Sequence, residues 1–256
     1  MLGKLMKHES VYMARRFVPL YLIYIALAVL ARVAHILDFT DVTNVGLSFA
    51  LNMGMVLVLI AFFLACFGLA LMGLFLNVAR FRSNLFTDEG YLMNTLPLPS
   101  WYHIVCKLLS GIIWFVLTMC VAVAGVFIGF YDMDDFEIFS ELLEISIEVF
   151  HAAPLETALI IILAVVTFCA FVLLCYFGQA FSSMVRHKRI VGFVIIIGCV
   201  ILDSFLSTTL SEFYFAMADS SSISAYLAVN IVYHAAAGGL LFWLTNLILR
   251  KRLNLQ

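Results

Sequence analysis

The chain has 256 residues, of which 65% are hydrophobic and only 12% are charged, and its formal net charge is −2. Soluble domains carry about twice that share of charged residues, so this chain lacks the polar surface that a globule in water needs. It also has no basic patch of the kind that neutralises phosphates, which argues against a nucleic-acid partner. We therefore expect an all-α membrane protein that forms one transmembrane domain over residues 1–256.

The first 16 residues precede any long apolar run and have an amphipathic pattern. Their apolar side chains can share one face of a helix, and the opposite face would present four basic residues to lipid headgroups: Lys4, Lys7, Arg15 and Arg16. The pattern predicts an interfacial helix over residues 1–16.

Six segments contain the ~20 mostly apolar residues that a membrane-spanning helix needs. They are residues 17–37, 46–79, 102–131, 156–183, 190–211 and 225–249. Helices are the expected form because a spanning segment must satisfy its own backbone hydrogen bonds in lipid. At ~1.5 Å per residue the second segment would reach ~51 Å, against a hydrocarbon thickness of ~30 Å. We expect its end near Arg80 to project into the cytoplasm.

The connection between the second and third spans contains a predicted short helix over residues 88–95. Thr87 can cap this helix, its first turn holds Asp88 and Glu89, and Pro97 limits its length. Its exposed apolar side chains have two possible fates, which the residues alone leave open. They pack back onto the membrane end of the protein, or they fill a groove in a partner.

Residues 133–150 form a second amphipathic pattern, in which glutamates recur at helical spacing beside an apolar face. The pattern predicts a helix on the outer membrane interface. A solvated acidic face is the simpler interpretation, and a landing surface for a cationic peptide is the sharper one. A metal site at Glu144, Glu148 and His151 is a remote alternative.

Three ionisable residues lie inside apolar runs: Arg32 in the first span, Asp203 in the fifth and His234 in the sixth. Each lies ~21–24 Å from the cytoplasmic end of its helix, where an unpaired charge costs at least ~2.5 kcal/mol. We expect Asp203 to pair with Arg32, with His234 or with both. A fixed structural pair is the favoured interpretation, and a gating or proton-relay role is the alternative.

The orientation of the spans follows from the distribution of the 14 Lys and Arg residues. All of them except Arg32 fall at the two ends of the chain and in the connections after the second and fourth spans. The positive-inside rule then places both the N-terminus and the C-terminus in the cytoplasm.

The stretch LFTDEGYLMNTLPLP, followed by a lysine and an apolar helix, resembles the coupling-helix region of ABC-2 type permeases of Gram-positive bacteria. The start, MLGKLMKHE followed by ARRFVPLYL, is similar to the interfacial helix and first span of the same group. The close resemblance covers roughly the first 115 residues, and the remainder agrees in topology only.

The resemblance implies a permease subunit in the plasma membrane of a bacterium, working with a second permease subunit and with ATP-binding subunits. The coupling helix that docks into the ATPase would comprise Asp88, Glu89, Gly90, Tyr91, Leu92, Met93 and Leu96. The chain has no GxxxxGK[ST] loop, so we expect no enzymatic activity and no cofactor of its own, with ATP and Mg²⁺ bound by the partner.

The expected task is export of an amphipathic or hydrophobic substrate such as a peptide, drug or lipid. Two other classes remain open on the sequence. One is a non-transporting scaffold or immunity component that shares the permease fold. The other is an intramembrane enzyme, which is less favoured because the sequence has no HExxH or GxSxG motif.

Overall fold

A computed structural model describes residues 2–36, 45–86, 99–130, 133–184, 188–217 and 223–253 of the chain. These residues form seven helices and no strand. In chain order the helices are α1 (Leu2–Ile36), α2 (Val45–Phe86), α3 (Ser100–Phe130), α4 (Met133–Ala152), α5 (Pro154–Ser182), α6 (Lys188–Met217) and α7 (Ile223–Leu253).

Six of these helices, all except α4, are long and apolar enough to cross a bilayer. The prediction of an all-α, multi-pass membrane protein with six spans is therefore confirmed. The cytoplasmic location of the two termini stays a prediction, since the fold carries no information about which side each end faces.

The helix bounds differ from the predicted segments mainly at the start of the chain. The sequence divides residues 1–37 into an interfacial helix and a span, whereas α1 runs without a break from Leu2 to Ile36 and contains Pro19. One stripe of buried side chains continues across the predicted boundary, through Met13 and Phe17. Packing against this stripe gives the helix a reason to continue past residue 16.

α4 and α5 are separate helices because the chain bends at Ala153, whose backbone has φ −140° and ψ 65°. Pro154 follows at the first turn of α5, where its missing N–H costs nothing and its fixed φ suits a helix start. The amphipathic segment predicted over residues 133–150 thus forms a helix of its own, Met133–Ala152.

The chain divides into two compact units. The first comprises Met1–Leu76 and Ser110–Ser146, and the second comprises Asn77–Leu109 and Ile147–Gln256. Because the divisions fall inside α2, α3 and α4, each of these three helices contributes one part to each unit.

The first unit has an aromatic core built on one stripe of α1. Phe17 stacks on Trp114 of α3 with ring centroids 5.1 Å apart, and Tyr24 stacks on Phe62 of α2 at 5.2 Å. The Tyr24 hydroxyl donates to the Ala122 carbonyl oxygen at 3.0 Å. Stacked and hydrogen-bonded aromatic side chains fix the separation of α1, α2 and α3 in this unit.

The second unit is built around α5, which packs against α7 over a long surface and against α6 over a shorter one. Small residues allow α5 and α6 to approach closely. A Cβ atom added at Gly192 would lie 2.8 Å from the Ser182 Cβ and 3.3 Å from the Gly178 carbonyl oxygen. Such small-residue crossings are a common means of packing helices in lipid.

Candidate functional site

The predicted coupling helix, from Asp88 to Leu96, lies outside the described residues. The structure describes the two segments that flank it, the end of α2 and the start of α3. Both flanks belong to the second unit, and each is continuous with a long helix. The packing of these flanks therefore determines how the connection between α2 and α3 is anchored.

The end of α2 is held to α5 by five residues that we call the α2–α5 clasp: Asn77, Phe81, Arg82, Tyr176 and Gln179. The Phe81 and Tyr176 rings stack with centroids 4.0 Å apart and an angle of 10° between their planes. Both rings are fully buried. The Tyr176 hydroxyl donates to the Asn77 Oδ1 at 2.7 Å, so the clasp combines apolar area with a buried hydrogen bond.

Helical spacing brings the clasp together. Asn77 and Phe81 are four residues apart on α2, and Tyr176 and Gln179 are three apart on α5, so each pair shares a helix face. Arg82 Nη1 also donates to the Gln179 Oε1 over a long 3.4 Å contact. The result is a stiff junction directly before the connection that begins at residue 87.

The start of α3 is also firmly packed. His103, Ile104, Cys106 and Lys107 are all buried, and His103 and Lys107 share one face of the helix at four-residue spacing. Trp101 remains partly exposed and its ring lies 4.1 Å from that of Tyr102. Lysine is rarely buried to this extent. The start of α3 is therefore buried in the second unit, as is the end of α2 that carries the clasp.

The intramembrane polar residues come together in part. His234 Nδ1 lies 4.0 Å from Asp203 Oδ1, so the predicted proximity of Asp203 and His234 is present between α6 and α7. The Tyr233 hydroxyl donates to the same Asp203 oxygen at 2.9 Å. The Asp203 side chain keeps 37% of its surface exposed, against 12% for His234. Arg32 lies on α1 in the first unit, so its pairing with Asp203 stays a prediction.

Sequence analysis missed Tyr233 and the whole clasp. Tyrosines and asparagines inside apolar helices are uncharged, so the sequence does not single them out. Their hydrogen-bond partners depend on which helix packs opposite. For Tyr233 a signal was available, because it is adjacent to His234 and a buried tyrosine hydroxyl usually finds a partner. For Asn77 and Tyr176 no signal links two residues so distant in sequence.

The amphipathic helix α4 has exposed acidic side chains. Glu141, Glu144, Glu148 and His151 are exposed, and so are the apolar Ile145 and Val149. Within the described ranges, no three His, Cys, Asp or Glu side chains gather in a way that would hold a metal ion. The placement of α4 on a membrane interface stays a prediction.

Comparison with known proteins adds no identification. The chain matches no protein-family model, no curated sequence and no solved structure. Its function must therefore be argued from its own residues.

Proposed function

We propose that the chain is the permease subunit of an ATP-driven ABC-2 type transporter in the plasma membrane of a bacterium. It works with a separate ATP-binding subunit and with a second permease subunit, and it moves an amphipathic or hydrophobic substrate. The observation that carries the proposal is the rigid packing on both sides of residues 87–98.

The length of α2 supports this role. Its 42 residues extend ~63 Å at ~1.5 Å per residue, about twice the hydrocarbon thickness of ~30 Å. A helix of this length has room to cross a bilayer and to continue into water. The clasp holds its last turns, so the connection after Phe86 starts from a fixed point.

The division of α2 and α3 supports a mechanical role. Their ends near the connection belong to the second unit, and their remaining parts belong to the first. A displacement of residues 88–96 by a partner would act on two helices that contribute to both units. A loop that served only to join two spans would need neither a helix of this length nor buried His103 and Lys107 beside it.

Docking through apolar side chains makes the proposal testable by capture from native membranes. The tagged protein should capture an ATP-binding protein. Mass spectrometry would identify this partner, and the captured complex should hydrolyse ATP. The double variant Leu92→Asp/Leu96→Asp should lose that partner, because two carboxylates would enter an apolar groove.

The matched control is Asn94→Asp/Thr95→Asp, which adds the same charge to the same segment without removing apolar side chains. It should retain the partner. All variants must show the same thermal unfolding in detergent as the unaltered protein, so that loss of the partner reflects lost docking and not lost folding. Well-folded protein that never captures an ATPase would refute the permease assignment and favour a scaffold without transport activity.

A further inference from the structure

The first unit contains an open apolar groove between α1 and α2, with a volume of about 270 Å³. Leu20 and Ile23 line it from α1, and Gly68 and Met72 line it from α2. Tyr24 also belongs to the lining, but its hydroxyl already donates to a backbone carbonyl oxygen of α3. The groove therefore suits an apolar occupant.

The groove is open on its outer side, and it is narrow. Ile23, Gly68 and Met72 are exposed, and a Cβ atom added at Gly68 would meet no atom of the described residues within 4 Å. On α2 the lining extends from Ala65 to Met72, which is ~10 Å along the helix axis. The volume and this length give a mean cross-section of ~27 Å², about a third of that of a helix ~10 Å across. A helix of a second copy is therefore too wide for the groove, whereas a single hydrocarbon chain is much thinner.

Both walls of the groove belong to candidate membrane spans, Gly3–Val33 and Gly46–Leu85. The medium around such spans is lipid, and the lining of an unfilled groove loses the van der Waals contacts that a close neighbour would supply. A lipid acyl chain is flexible enough to follow a narrow groove of this kind. The surroundings of the groove thus supply an occupant of the right chemistry.

Arg16 lies beyond one end of the groove, on the same side of α1. Arg16, Leu20 and Ile23 follow one another at i, i+4 and i+7, a spacing that places them on one helix face. Arg16 precedes Leu20 by ~6 Å along the axis, and it is the last charged residue before the apolar stretch 17–31. A positive charge beside one end of an apolar groove matches an anionic phospholipid, which joins a negative headgroup to apolar chains.

The Arg16 side chain is arranged to bind an anion. It is exposed, and its guanidinium carbon lies 4.7 Å from the centroid of the Tyr12 ring. Stacking on a ring occupies the face of a guanidinium and leaves the N–H donors at its edge, which match phosphate oxygens. Neither Val45–Phe86 nor Ser100–Phe130 contains an Asp or Glu. The one acid of α1, Glu9, is buried and lies ~10 Å along the helix from Arg16.

We propose that the groove and Arg16 bind an anionic phospholipid, with one acyl chain between α1 and α2 and the phosphate on the Arg16 guanidinium. The binding is noncovalent and leaves the lipid unchanged. Tyr12 positions the guanidinium, and Gly68 keeps the groove open because it has no side chain to fill it. This site goes beyond the proposed permease role and does not depend on it.

Native mass spectrometry of the purified protein in detergent tests the site with two lipids that share the same chains. Dioleoyl phosphatidylglycerol has a negative headgroup, whereas dioleoyl phosphatidylcholine has no net charge. We expect the protein to bind phosphatidylglycerol about fivefold more tightly, the factor that one basic residue contributes to binding an anionic lipid surface.

The headgroup end of the site is tested by Arg16→Gln. This variant should weaken the binding of phosphatidylglycerol about fivefold and leave that of phosphatidylcholine unchanged. The matched control is Arg15→Gln, which removes the same charge from an adjacent exposed position that lies ~100° around the helix from Arg16. It should weaken phosphatidylglycerol binding less than Arg16→Gln does.

The chain end of the site is tested by Gly68→Leu, whose side chain would fill the groove. This variant should lose tight binding of both lipids. The matched control is Gly54→Leu, which adds the same side chain to α2 at an exposed position outside the groove, where a Cβ also meets no described atom within 4 Å. It should bind both lipids as the unaltered protein does. Gly68→Val serves as a smaller second variant if Gly68→Leu lowers the midpoint of thermal unfolding.

Four results would overturn the proposal. The first is equal binding of the two lipids by the unaltered protein, and the second is an equal loss in Arg16→Gln and Arg15→Gln. The third is unchanged lipid binding when Gly68→Leu, or folded Gly68→Val, is compared with Gly54→Leu. The fourth is a loss of dimer peaks in Gly68→Leu with lipid peaks unchanged, which would assign the groove to a second copy of the chain.

Discussion

The α1–α3 seam of the first unit and the α6–α7 seam of the second both place tyrosine hydroxyls at membrane depth, yet they use them differently. In the first unit Thr118 Oγ1 donates to the Trp114 carbonyl oxygen at 2.7 Å, so Tyr21 must donate to Thr118 across their 2.7 Å contact. Every group in that chain is neutral. In the second unit the acceptor of the Tyr233 hydroxyl is the carboxyl of Asp203.

The difference shows which polar groups serve packing and which remain available for chemistry. Tyr21, Tyr24 and Thr118 are buried, and their hydrogen bonds are closed within the unit. Asp203 lies inside the candidate span Ile190–Phe215 and keeps more than a third of its side chain exposed. A closed neutral network stabilises a helix seam, whereas the seam between α6 and α7 keeps an ionisable side chain partly exposed.

The largest effect on the first unit is expected from Gly125→Ala. The added Cβ would overlap the Tyr24 ring, which is held by Phe62 on its face and by the Ala122 carbonyl at its hydroxyl. We expect a loss of about 3 kcal/mol, the upper end for overpacking, seen as a lower midpoint of thermal unfolding in detergent. Gly68→Ala is the control, because a Cβ there meets no atom of the described residues within 4 Å. Equal midpoints for the two variants would contradict the packing of Tyr24.

A smaller effect is expected at the α5–α6 crossing of the second unit. A Cβ at Gly192 would lie 2.8 Å from the Cβ of Ser182, the last residue of α5, which is a smaller overlap than the one between a Cβ at Gly125 and the Tyr24 ring. Gly192→Ala should therefore cost about 1–2 kcal/mol. Gly198→Ala, on the same helix with no described atom within 4 Å, should keep the midpoint of the unaltered protein. Equal unfolding midpoints for Gly192→Ala and Gly198→Ala would contradict the close approach of α5 and α6 at Gly192.

Sequence analysis predicted the helical membrane class and the six spans because both depend on composition and on apolar runs within one segment. The bounds of α1 were harder, because its continuity past residue 16 depends on burial against α2 and α3 at Met13 and Phe17. The helix propensity of residues 1–16 carries no information about that burial, which depends on tertiary packing.

The candidate sites were predicted only where charge marked them. Asp203 and His234 were noticed because ionisable groups are rare in apolar helices, and the structure brings them within 4.0 Å. The clasp was not foreseen, because stacking of Phe81 on Tyr176 is a property of two helices brought together by tertiary packing. The coupling-helix residues Asp88–Leu96 stay a prediction.

The smallest effects compare one tyrosine hydroxyl in each unit. Tyr176→Phe keeps the stacked ring but removes the donor to Asn77 Oδ1, leaving a buried amide oxygen without that bond, and should cost about 1–2 kcal/mol. Tyr21→Phe removes a donor from Thr118, whose own proton remains bonded to the Trp114 carbonyl, and should cost only about 0.6 kcal/mol. Both losses are measured as changes in the midpoint of thermal unfolding of the purified protein. Each change is compared with the midpoint change of the Gly125→Ala variant. The order of the two losses is the decisive result.

A greater loss for Tyr21→Phe than for Tyr176→Phe would mean that the neutral network of the first unit depends on its tyrosine hydroxyl more than the clasp does. Because a phenylalanine preserves the ring at both positions, the comparison isolates the hydrogen bond from the apolar area around it.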